Sequence, residues 1–130
     1  MTFEHFAFNA PDARAAAEWY VTHLGLRILR AQDKSPYTHF LADDTGRVVL
    51  EIYSNPTATI PDYPSEHPLR FHFAFAVVDA RAEQKRLTAA GATTAEEVTP
   101  PDGSLLIMMR DPWGVPVQLC QRAQRFDIPR

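Results

Sequence analysis

Apolar and polar positions alternate with a period of two at the start of the chain, where His5, Ala7 and Asn9 fall on one face of a predicted strand and Phe6 and Phe8 on the other. The same alternation returns at residue 72, with His72, Ala74 and Ala76 opposed by Phe73, Phe75 and Val77. The two openings, HFAFNAPDARA from His5 and HFAFAVVDARA from His72, are identical at eight of eleven positions and lie 67 residues apart. The aromatic face is the predicted core face. The histidine face carries small residues, so it leaves space beside each imidazole.

An aspartate follows each opening histidine by seven residues, at Asp12 and Asp79. Aspartate is a preferred helix N-cap, because its carboxylate accepts from free N–H groups of the first turn. The first predicted helix is ARAAAEWYVTHL, with Ala16, Trp19, Tyr20 and Leu24 on one side, and it stops at Gly25. The second is ARAEQKRLTAA, which stops at Gly91. Three strand-like segments follow each helix: LRILRA, YTHFLAD and RVVLEIY, then TTAEEVTP, SLLIMMR and VPVQLCQ. The tetrapeptides DDTG and DPWG are turn-formers placed before the last strand of each set.

The chain therefore reads as one α+β domain over residues 1–130, built from two βαβββ modules. Module one covers about 1–54, a proline-rich crossover about 55–69, module two about 70–122, and a short tail 123–130. Sheets packed edge to edge with helices on one side would form a curved mixed sheet, with His5 and His72 pointing onto its open, cupped face.

Composition narrows the function classes. With 130 residues and 45% hydrophobic content the chain can bury a core without staples. A net charge of −3 speaks against nucleic acid as a partner. No apolar run is long enough to span a bilayer, and the N-terminus lacks the basic region of a signal peptide. The single cysteine, Cys120, excludes an internal disulfide and fits a reducing cytoplasm.

The candidate chemistry comes from the last strand of each module. Alternation puts Leu50 and Ile52 on one face and Val49, Glu51 and Tyr53 on the other. In the second module Val117 and Leu119 oppose Pro116, Gln118 and Cys120. Glu51 follows His5 by 46 residues, and Gln118 follows His72 by 46. A lone strand histidine usually packs or hydrogen-bonds. The equal spacing is what groups His5, Glu51, His72 and Gln118 into an N2O2 set suited to a divalent metal (zinc, nickel, iron or manganese) with positions open to water or substrate. His39 lies in a segment whose register is open. His23 belongs to the last helical turn and His67 to the crossover. Tyr53 and Trp113 are candidates to line a small-molecule pocket or to pack.

These features resemble the vicinal oxygen chelate superfamily, which includes glyoxalase I, bleomycin-resistance proteins, fosfomycin-resistance enzymes and extradiol dioxygenases. EWYVTHLGLRILR resembles the family pattern FYxxxLGxxxxR, and RDPWGVPVQL resembles its DPDGxxxEL ending. The resemblance covers residues 3–122, and bacterial glyoxalase I is the nearest motif match. It implies metal ligands at His5, Glu51, His72 and Gln118, and a substrate contact at Asn55. Two positions depart from the pattern: Gln118 replaces a glutamate ligand, and Asn9 replaces an arginine that holds a glutathione carboxylate. The implied activity is that of a lactoylglutathione lyase-like enzyme, a metal-assisted proton transfer on a substrate with vicinal oxygens, with Glu51 as the base and Asn55, Asn9 and Tyr53 toward the substrate. A homodimer is also implied. The alternatives within the same fold are a small extradiol-type dioxygenase and a non-catalytic drug- or metabolite-binding resistance protein.

Overall fold

Each module closes on itself by pairing its first strand with its last. In the computed structural model, which describes residues 1–126, the first unit is Met1–Pro61 and the second begins at Asp62. Residues 127–130 of the expected tail lie outside the described residues. The first unit runs β1 (Phe6–Asn9), α1 (Ala13–Leu24), β2 (Arg27–Ala31), β3 (His39–Ala42) and β4 (Val48–Tyr53). The second runs β5 (Phe73–Ala76), α2 (Ala80–Ala89), β6 (Thr93–Val98), β7 (Leu105–Arg110) and β8 (Pro116–Gln121). The two sheets have the orders β1-β4-β3-β2 and β5-β8-β7-β6, so the modules share one topology, as the repeat predicts.

The outer pairs β1–β4 and β5–β8 are parallel, and the other pairs are antiparallel. Their registers are equivalent: Ala7 stands opposite Glu51, and Ala74 opposite Gln118. A parallel pair needs a long crossover. Here the helix and two intervening strands supply it.

Both helices begin as the sequence predicts. Asp12 accepts from the Ala15 N–H at 3.1 Å, and Asp79 from the Ala82 N–H at 3.0 Å. A second acceptor reaches each first turn from the end of the last strand. Ser54 Oγ accepts from the Ala13 N–H at 2.8 Å, and Gln121 Oε1 accepts from the Ala80 N–H at 2.9 Å. Ser54 also donates to the Ala10 carbonyl at 2.7 Å. These bonds satisfy amides that a helix start leaves without partners, and they tie the helix to the strand that carries Glu51 or Gln118. Gly25 ends α1 in the left-handed region, at φ 69°, with its N–H on the Tyr20 carbonyl.

The buried faces follow the alternation. Phe8, Leu41, Leu50 and Ile52 are buried with Ala13, Ala16, Ala17 and Tyr20 of α1. Trp19 and Leu24, expected on that face, are only half-buried. Ile107, Met109, Val117 and Leu119 are buried with Ala80 and Leu87 of α2. Outside the sheet, Arg81 holds Glu97 of β6 at 2.5 Å, and that guanidinium keeps the Glu97 carboxyl below the usual carboxylate range.

The proline-rich crossover has defined structure. Its end forms a 3-10 turn, Tyr63–Ser65, with Tyr63 buried. Arg110 anchors this segment by donating to the carbonyls of Tyr63 at 2.9 Å and Glu66 at 2.7 Å, and to that of Gly114 at 3.0 Å. Gly114 has φ 92°, and a Cβ there would lie 2.6 Å from the Pro64 ring and its nitrogen.

Two stability measurements follow. Gly114→Ala combines a left-handed φ with a clash against a rigid ring, so it should lower unfolding free energy by about 1–3 kcal/mol in urea titrations. Ser54→Ala removes one acceptor and one donor and should cost about 1–2 kcal/mol, read the same way.

Candidate functional site

In the first unit, the sheet surface away from α1 brings together His5 and Glu51, two of the four residues that the spacing grouped. Phe8, Leu50 and Ile52 point to the core, so Ala7 and Glu51 face the other way. His5 lies two residues before Ala7 and emerges on the same face. Its Nε2 stands 2.8 Å from Glu51 Oε2, and its Nδ1 stands 2.9 Å from Glu4 Oε1. The His5 side chain keeps 29% exposure and that of Glu51 20%, so both remain reachable from solvent.

The third strand adds a residue that the sequence left undecided. Phe40 stands opposite Glu51, and His39 stands opposite Ile52. Phe40 therefore joins the open face, with its ring edge-on to His5 at a centroid distance of 5.8 Å. His39 turns to the core side, is buried, and has Nδ1 2.6 Å from the Tyr37 carbonyl. The candidate-site aromatic is thus the neighbour of the histidine that the sequence brought forward. The strand HFLA has no clean alternation that could have shown this.

Asn9 and Asn55 form one hydrogen-bonded unit. Asn9 Nδ2 donates to the carbonyls of Asn55 at 3.0 Å and Ala58 at 3.1 Å, and Asn9 Oδ1 accepts from the Asn55 N–H at 2.7 Å. Asn55 Oδ1 in turn accepts from the Thr57 N–H. The side chain of Asn9 therefore shapes the loop after β4. Tyr53 stands opposite Asn9 and is half-buried.

In the second unit, Ala74 and Ala76 are exposed on the face opposite to the buried Val117 and Leu119. Gln118 pairs with Ala74 and with Met108 of β7, so these three share that open face. His72 precedes β5 and is exposed, with Nδ1 2.9 Å from the Pro68 carbonyl. A carbonyl only accepts, so Nδ1 carries the proton in that bond and Nε2 of the neutral ring presents a lone pair. Gln118 Oε1 lies 3.4 Å from Cys120 Sγ. Burial pushes the Cys120 thiol above its usual range, so it is no ready nucleophile.

The donors suit a divalent metal in type. Nε2 of His5 and Oε2 of Glu51 are already spaced near the roughly 3 Å edge that adjacent ligands make at about 2.1 Å from one ion. His72 has its ring fixed through Nδ1, the arrangement that orients a metal-binding imidazole. Among the described residues, no group of three or more His, Cys, Asp or Glu is arranged so that it could hold a metal ion. His23 packs against Trp19 at 5.3 Å, and His67 is exposed and accepts from the Leu69 N–H. No helix among the described residues is long and apolar enough to cross a membrane.

Comparison with known proteins agrees with this architecture. No curated protein matches the chain. Among solved structures, a glyoxalase family protein from Enterococcus faecalis is 27% identical, with 92% of this chain and 97% of that one covered, at a TM-score of 0.68. A lactoylglutathione lyase from Agrobacterium tumefaciens is 19% identical, with 92% of each chain covered, at 0.67. TnmS3, an antibiotic binding protein from a Streptomyces species, is 19% identical, with 95% and 97% covered, at 0.68. The last two show a shared fold alone. The family model for the glyoxalase, bleomycin resistance protein and dioxygenase superfamily matches residues 2–119. With both modules paired in the order that the repeat requires, the chain belongs to the glyoxalase/bleomycin resistance protein/dioxygenase superfamily.

Proposed function

We propose that the protein is a metal-dependent, glyoxalase I-like lyase or isomerase that moves a proton between adjacent carbons of a small substrate with vicinal oxygens. The observation that carries this reading is the His5–Glu51 pair, 2.8 Å apart on a half-buried strand face, in a register that the second module repeats at Gln118. His5 and Glu51 would hold the metal with His72 and Gln118, supplied by the same chain or by a second copy in a homodimer. A divalent metal bound there would polarise the substrate oxygens and stabilise the negative charge that builds as the proton leaves.

Glu51 is the one carboxylate in this set, because glutamine cannot titrate. Its oxygen would take the proton from one substrate carbon and return it to the next. Glu4, 2.9 Å from His5 Nδ1, would hold the His5 ring from its other nitrogen and leave Nε2 to the metal. Asn55, fixed by Asn9, and Tyr53 would orient the substrate beside it. Phe40 would cover the apolar side of the same surface and keep water from that flank.

Elemental analysis of purified protein should find a divalent metal, and His5→Ala should lower its content at least tenfold. Glu51→Gln keeps an oxygen donor. It should retain most of the metal yet reduce turnover of 2-oxoaldehyde thiohemiacetals by a factor of about 10² or more. An active Glu51→Gln protein that still holds metal would remove Glu51 from the base role. Oxygen uptake with a catechol would favour the dioxygenase chemistry of the same fold. Tight binding of a ligand without metal or turnover would favour a sequestering protein.

A further inference from the structure

The edge strand of the first sheet contains an irregularity that decides which of its side chains reaches the open face. Ile28 pairs with Leu41, but the next pairing is Arg30 with Phe40, so Leu29 is an extra residue. In a regular ladder Leu29 would stand opposite Phe40, and Arg30 opposite His39 on the core side. The bulge turns Arg30 onto the face of Phe40 and Glu51. The Arg30 guanidinium lies 5.8 Å from the Phe40 ring centroid, and Phe40 lies 5.8 Å from the His5 ring. A single row thus crosses the sheet as cation, aromatic ring and carboxylate and ends at Ala7, and His5, two residues before Ala7, reaches the carboxylate from beside the row.

The second unit has a bulge at the corresponding place. Thr94 pairs with Met109 and Glu96 with Met108, which leaves Ala95 as the extra residue. The row there is Glu96, Met108 and Gln118. Its charge is opposite, so the cation of the first row is no shared packing device of the repeat. Arg30 is exposed and has no ion pair among the described residues.

We propose that Arg30 is an anion-binding residue that selects substrates carrying a carboxylate, and that it does so on the surface assigned above to His5 and Glu51, a reading on which this proposal rests. Two strand spacings separate Arg30 from Glu51, about 10 Å between their backbones. That span accommodates a small molecule lying across Phe40. Glu51 repels a carboxylate and Arg30 attracts one, so the anionic end is directed to Arg30 and the neutral vicinal oxygens to Glu51. The guanidinium can grip a carboxylate with two parallel hydrogen bonds, which a lysine in its place would not do.

The test uses metal-free full-length protein, titrated with benzoate and with its neutral isostere benzamide. NMR follows the Arg30 Nε–H and the backbone amides of Phe40 and Glu51. Saturable benzoate shifts at these positions are expected, with at least tenfold weaker binding in Arg30→Gln, loss in Arg30→Glu and partial retention in Arg30→Lys. Benzamide should bind weakly and equally to all four proteins. Equal affinity of wild type for the two ligands, absence of benzoate binding, or unchanged benzoate affinity in Arg30→Gln would each overturn the assignment. Metal content and turnover are not read in this titration. Protein that takes benzoate through Arg30 yet shows neither metal nor turnover would therefore overturn the catalytic reading while upholding Arg30 as the anion site.

Discussion

Parallel pairing of β1 with β4 brings the two ends of the first module side by side, and β5 with β8 does the same for the second. The rest of each unit depends on the register of that pair. Placing Ala7 opposite Glu51 lets His5, two residues earlier, meet the carboxylate. A slip by one residue would send Glu51 into the core and expose Leu50 or Ile52, at a cost that the burial of those side chains sets. The hydrophobic face thus holds the polar face in place.

Hydrogen bonds at the helix starts reinforce the same register. Ser54 and Gln121 each reach from the end of the last strand to the first amide of the helix, at positions that the repeat makes equivalent. Strand, helix and closing strand are joined at a single corner. On the far edge the constraint is looser. β2 and β6 are exposed along their whole length, and there each ladder admits an extra residue. The inner ladders are not identical either, since β3–β4 shifts register between Leu41 and Ala42 and leaves Val49 extra while β7–β8 pairs continuously, and at the free edges the modules differ in charge and side-chain type.

Much of this was legible in the chain. The doubled HFAF…DARA defined both first strands and both capping aspartates, and the common offset of 46 pointed to Glu51 and Gln118. Asn9 was legible as a departure from a family pattern, but not as the side chain that fixes Asn55, because that role depends on a loop folding back over β1. His39 attracted notice for its chemistry, while Phe40 beside it occupies the open face. Tyr63 and Arg110 gave no signal as a pair, since they are 47 residues apart and joined through a backbone carbonyl.

What the sequence determined by itself is the order of elements, the two-module plan and the periodic faces of the inner strands, because local propensity and a period of two act over a few neighbouring residues. What only the tertiary structure decided is the facing of residues next to an irregularity or within a short apolar strand. A bulge reverses the faces beyond it without altering the residue pattern, so the position of Arg30 across from Phe40 follows from the partner strand. The pairing of His5 with Glu51 lies between these cases: equal spacing named the two residues, and parallel register put their polar atoms 2.8 Å apart.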